Sequence, residues 1–194
     1  MYFFTADQHF GHSNIIKFCN RPFKNVDEMD RVLIDNWNSK ITNKDEVYVV
    51  GDFALTDPKR VNEIIRELKG NIYFIDGSHD RWIHERAFRN FADVEGVEGK
   101  DRRVMIGKNK LVDVKVNLPV TNERKDIWLC HYSMRSWPKS HYGTWHLYGH
   151  HHGRLAPHGK SFDVGVDCHD FYPLSLNEIA EKMKSLPMIG VDKQ

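Results

Sequence analysis

The chain has 194 residues, 40% of them hydrophobic and 28% charged; this suits one folded domain with its own core and excludes a disordered chain. The 28 basic residues balance 27 acidic ones to a net charge of +1, so no overall electrostatic pull toward nucleic acid or membrane follows. Cys19, Cys130 and Cys168 are widely spaced and offer neither a disulfide framework nor a thiolate zinc pair.

An apolar run over residues 2–6 predicts a strand ending at Asp7. Ser13 predicts the N-cap of a short helix over 14–18, and Met29, Val32, Leu33, Asn36, Trp37 and Ile41 recur with roughly helical spacing over 26–41. Residues 46–50 read as a buried strand stopping at Gly51-Asp52. Asp57-Pro58 supplies a cap and a first-position proline for a helix to about Leu68, closed by Gly70. A third strand over 71–75 runs into Asp76-Gly77-Ser78-His79-Asp80, and 81–91 has a helical pattern. Beyond it, 104–106 and 111–116 predict a hairpin about a Gly107-Lys108-Asn109 turn, followed by strands at 126–130, 145–148 and 161–166. Ser175-Leu176-Asn177-Glu178 is a capping box opening a helix to about Leu186, with a loosely ordered tail expected from about 187.

Strand–helix alternation in the first half implies parallel strands joined by crossovers, and the second half is strand-rich. The expectation is an α/β fold, a four-layer sandwich of two mixed β-sheets flanked by helices, as a single domain over 1–194. No run reaches the roughly 20 apolar residues of a membrane helix, and the N-terminus lacks signal-peptide regions. A cytoplasmic protein with no membrane partner is expected; a symmetric homodimer is compatible with this size.

Twelve histidines are more than solubility explains, and eight of them lie between His131 and His169. Their placement matters more than their number. Asp7 and His9 follow the first strand, Asp52 the second, Ser78-His79-Asp80 the third, His131 the strand over 126–130, and His150 and His152 the strand over 145–148. Ligands bind in loops beyond the carboxyl ends of α/β strands, and mixed carboxylate and imidazole donors suit manganese, iron or zinc. Each motif alone has an ordinary structural explanation. The ordered set does not.

The ordered motifs Asp7-Gln8-His9, Gly51-Asp52-Phe53, Gly77-Ser78-His79-Asp80, His131 and Gly149-His150-His151-His152 resemble those of the calcineurin-like metallophosphoesterases, closest to small bacterial and phage members. The resemblance runs from residue 2 to about 178. It implies a four-layer αββα sandwich and two divalent metals, manganese foremost, with iron, zinc or nickel as alternatives. Asp7, His9 and His152 would hold the first metal, His131 and His150 the second, and Asp52 would bridge them. It further implies hydrolysis of a phosphate mono- or diester by a metal-bridging hydroxide. His79 would stabilise phosphoryl charge or protonate the leaving oxygen, oriented by Asp80. One position departs: Ser78 stands where the family has a metal-ligating asparagine, and its shorter hydroxyl reach implies a weaker second metal.

Other residues carry less. His12, Arg81 and Arg135 flank the motif loops and are candidate phosphate contacts. Trp137, His141, Tyr142 and Trp145 either wall a base-stacking surface or pack under their loop. His146 and His151 are expected to point away from the ligands, and His158 and His169 lie toward the mouth. The expected substrate is a small phosphate ester or nucleotide. A catalytically weak relative that binds a phosphorylated ligand or nucleic acid is the alternative, motivated by Ser78.

Overall fold

A computed structural model describes residues 1–85, 104–107 and 109–188. The first half runs β1 (Tyr2–Thr5), α1 (Ser13–Phe18), α2 (Val26–Lys40), β2 (Glu46–Val50), α3 (Pro58–Glu67), β3 (Asn71–Ile75), a 3-10 turn (Arg81–His84) and β4 (Val104–Gly107). Then come β5 (Leu111–Asn117), β6 (Arg124–Cys130), β7 (Trp145–Tyr148), β8 (Ser161–Asp163), β9 (Leu174–Ser175) and α4 (Leu176–Ser185), with 3-10 turns at Ser140–Tyr142 and Val166–Cys168.

Local chemistry sets the helix starts. Asn25 caps α2 by accepting from Glu28 N–H, and Asp57 caps α3 by accepting from Lys59 and Arg60 N–H ahead of Pro58. In α4 the Ser175 side chain and Glu178 satisfy each other's backbone donors. Ser13 is not a cap: His12 holds that position of α1, without a side-chain hydrogen bond.

The strands form two mixed sheets, ordered β4-β3-β2-β1-β9 and β5-β6-β7-β8. In the first, β1 to β4 run parallel and β9 antiparallel; in the second, β6, β7 and β8 run parallel and β5 antiparallel. Alternate residues of the first sheet serve different cores. Phe3, Val47, Val49, Ile72 and Phe74 pack under α1–α3 with Trp37, Ile64 and Ile65. Phe4, Val50 and Ile75 face Val114, Ile127, Leu129, Trp145 and Leu147 of the second sheet, joined by Leu176, Ile179 and Met183 of α4. This is the layered α/β sandwich the sequence implies. Among the described residues no helix is long and apolar enough to cross a membrane.

Three expectations are corrected. The hairpin over 104–116 does not form: β4 pairs parallel with β3 in one sheet, while β5 pairs antiparallel with β6 in the other. The apolar β4 contributes Val104 to the helix-side core, whereas β5 turns Val114 and Val116 toward the second sheet's core and exposes the residues between. The strand expected over 161–166 stops at Asp163, and the chain turns into a 3-10 segment. Of the helix expected over 81–91, only Arg81–His84 is a 3-10 turn; residues 86–91, Lys108 of the expected turn, and 189–194 of the tail lie outside the described residues.

Candidate metal centre

Because β1, β2 and β3 are parallel, their carboxyl ends share one rim, and the same holds for β6, β7 and β8. Ala6 stitches the rims together: its N–H donates to Val164 O at 3.1 Å, and its carbonyl accepts from Val166 N–H at 3.0 Å. Backbone bonds from Asp7 N–H to Gly51 O (3.1 Å) and from His9 N–H to Asp52 O (3.0 Å) lay the first motif loop along the second.

Six motif residues gather there in two sets. Asp7, His9 and His152 form one, and Asp52, His131 and His150 the other, each offering ligand atoms within 4.8 Å of one another. The close approach requires glycine. A Cβ at Gly77 would stand 2.2 Å from Asp52 N, and one at Gly149 would stand 2.6 Å from Asp7 Oδ2. Five of the six, Asp7, His9, Asp52, His150 and His152, have left-handed backbone, with φ from 49° to 71°. Non-glycine residues adopt that conformation uncommonly, and it clusters at functional sites.

The donor atoms fit a metal. Asp7 Oδ1 and His9 Nε2 are buried with no hydrogen-bond partner, and His131 Nε2 meets only the Asp52 carboxylate, a costly state unless a cation completes them. Burial pushes the Asp7 carboxyl up to about 7 and the His9 imidazole down to about 2. Asp52 and His131 compensate one another: burial opposes both charges, yet His131 Nε2, 3.2 Å from Asp52 Oδ2, holds the Asp52 carboxyl below its usual range, and His131 rises to about 9. His131 Nδ1–H donates to Val50 O at 3.0 Å, which leaves Nε2 as the nitrogen facing the set.

Around the two sets, the remaining predicted residues divide. Ser78 is exposed, and its hydroxyl donates to Asp52 Oδ2 at 2.8 Å. His79 N–H donates to Asp52 Oδ1 at 2.8 Å, and its ring lies 5.4 Å from that of His9 and 5.9 Å from that of His12, so both extra histidines border the first set. Asp80 does not orient His79. Its buried carboxylate accepts from Asp52, Phe53, Ala54 and Gly77 N–H and from Trp82 Nε1, and burial followed by the Asp52 charge pushes it up to about 6. Arg81 is exposed at the start of its 3-10 turn.

Arg135 stands elsewhere, on a cavity of about 300 Å³ with Met134, Leu155, Ala156 and His158. Ser133, on the same cavity, contacts His151 Nε2 at 3.0 Å, so this space adjoins the loop that carries His150 and His152. His146 is fully buried, with Nδ1 2.8 Å from Ser161 Oγ and its ring 5.3 Å from that of Trp137. Neither His146 nor His151 enters a ligand set. Trp145 lies in the inter-sheet core while Tyr142 is 78% exposed, so no single aromatic wall forms. His169 sits with Nε2 2.8 Å from Asp163 O.

Sequence reasoning missed Arg21, Tyr132 and the structural roles of Asp163 and Asp167. The Tyr132 ring covers the second set, 5.1 Å from His131 and 4.8 Å from His150. Asp163 accepts from Gly153 and Gly165 N–H and holds the loop after His152. Asp167 Oδ2 lies 2.7 Å from His152 Nδ1. The acidic pair following a strand was a signal of the same kind that marked Asp7 and Asp52; Arg21 had none.

Fold and site together define a layered α/β protein with a histidine–aspartate cluster at the strand ends. No family model matches the chain. It belongs to the family of the uncharacterized protein MJ1445 of Methanocaldococcus jannaschii, with 32% identity over 188 residues, covering 92% of this chain and 89% of that protein. A crystal structure of a protein of unknown function from Aquifex aeolicus, AQ665, shares the fold: the TM-score is 0.64 at 19% identity, over 94% of this chain and 98% of that one.

Proposed function

We propose that the protein is a dinuclear metal-dependent phosphoesterase acting on a small phosphate mono- or diester or a nucleotide. The observation that carries the reading is the pair of three-residue ligand sets at one rim, with the buried Asp7 Oδ1 and His9 Nε2 left without a hydrogen-bond partner. Asp7, His9 and His152 would hold one ion, and His131 and His150 the other. Asp52 would serve both, because its Oδ2 lies 3.7 Å from His9 Nε2 and 3.2 Å from His131 Nε2. When bound, two such ions make a water acidic enough to attack at neutral pH and polarise phosphoryl oxygens.

The chain's own residues do the rest. His79 and His12, beside the first set, are placed to donate to phosphoryl or leaving oxygens. Arg81, exposed just past the His79 loop, would supply positive charge, whereas Arg135 faces the neighbouring cavity. Binding should also expel the proton that the Asp52 charge holds on His131, since ligands must be unprotonated.

Ser78 bears on how fast this runs. Its hydroxyl is occupied by Asp52, so the second set keeps three donors. The test is hydrolysis of a chromogenic phosphodiester with added Mn²⁺, for this chain and for Ser78→Asn. We expect chelator-sensitive turnover in both and a lower Mn²⁺ requirement in Ser78→Asn. Saturating Mn²⁺, at 100 times its Kd, should also raise stability by about 2.7 kcal/mol, read as a thermal shift that chelator reverses. Metal uptake without turnover in either protein would favour a ligand-binding relative, a reading motivated by the occupied Ser78 hydroxyl. No metal uptake would sink both.

A further inference from the structure

Arg21 belongs to neither ligand set, yet its side chain is 0% exposed. Its Nε and Nη2 grip the two oxygens of Asp167, each at 2.8 Å. Nη2 also donates to Asp7 O at 2.7 Å, and Nη1 to Gln8 O at 2.8 Å. Asp167 in turn engages His152 Nδ1 at 2.7 Å. One planar group therefore ties the backbone between two candidate ligands, Asp7 and His9, to the side chain of a third. A buried guanidinium–carboxylate pair is weak evidence for stability, because desolvation offsets its attraction. Its geometry does something else. A carboxylate on one imidazole nitrogen fixes ring orientation and leaves the other nitrogen, here Nε2, to a metal.

Among the described residues the other set has no such arginine bridge. His131 is anchored through Val50 O, and Asp52 by the Ser78 hydroxyl and His79 N–H, but the His150 residue is exposed, and its ring makes no hydrogen bond among the described residues. We infer that Arg21 is a positioning residue: acting through Asp167 and the Asp7 and Gln8 carbonyls, it assembles the Asp7–His9–His152 set before any ion arrives. That makes this set the tighter of two unequal metal sites. The inference rests on the dinuclear reading above but concerns which site fills first and why.

The test is calorimetric titration of Mn²⁺ into the metal-free, full-length chain, with folding followed by circular dichroism. The wild type should show two phases. Asp167→Asn, close in shape, and Arg21→Met should each weaken the tighter phase roughly 10- to 100-fold while leaving the weaker phase in place. Arg21→Lys keeps the charge without the fork and should fall between. If Arg21→Met does not fold, Asp167→Asn carries the test. Folded variants that match the wild type, or that lose both phases together as a general loosening would, overturn the positioning role. A wild type that takes up Mn²⁺ in two phases with neither variant altered removes this inference and spares the dinuclear reading; a wild type that takes up none removes both.

Discussion

Asp52→Asn is expected to lower Mn²⁺-dependent phosphodiester hydrolysis by about a thousandfold or more. Asp52 sits between the two ligand sets, 2% exposed, with Oδ2 facing both His9 and His131. An amide of the same shape still accepts from His79 N–H, so the loop should hold. What it loses is the negative charge that would draw two cations to one point. Transition-state charge stabilisation of several kcal/mol is typical of such ions, and about 4 kcal/mol corresponds to a factor of roughly a thousand. Bound Mn²⁺ per chain, measured alongside turnover, should fall in step. Near-normal turnover from the Asn form would mean that the reaction does not use this cluster.

Asp80→Ala should instead unfold the protein or come close to it. Five donors converge on this carboxylate: Asp52, Phe53 and Ala54 N–H at 2.7, 2.8 and 3.3 Å, Gly77 N–H at 3.1 Å and Trp82 Nε1 at 3.0 Å. Each buried donor left unpaired costs about 1–3 kcal/mol, so about 4 kcal/mol or more is at stake out of a typical total of about 5–15. Asp80→Asn keeps part of the acceptor set and should lose less. Urea unfolding of the metal-free chain measures both. If Asp80 served to orient His79, the Ala variant would instead keep nearly wild-type stability and lose turnover.

The two predictions divide along what the sequence revealed. Strand ends followed by Asp or His are local patterns, and parallel strands put those ends on one rim; Asp7, His9, Asp52, His131, His150 and His152 were therefore legible. Capping chemistry likewise fixed the starts of α3 and α4, though not of α1, where His12 rather than Ser13 holds the cap position. The hairpin over 104–116 was misread because adjacency in sequence favours local pairing, while burial of Val104 under the helices and of Val114 between the sheets is a property of the whole fold. Asp80 sits in the right motif, but three of its five bonds run to backbone donors from a different strand end, which spacing cannot reveal. Arg21 was invisible for the same reason: its partner Asp167 is 146 residues away.

The left-handed backbone at five of the six candidate ligands bears on any attempt to move this cluster into another scaffold. That conformation disfavours β-branched and bulky residues and tolerates Asp, Asn and His better than most. The loops thus restrict which amino acids can occupy these positions, and the permitted few include good metal donors. A graft that copied side-chain positions onto helices or straight strands would aim the donors differently. Transplanting the cluster means carrying over the turns first and the residues second.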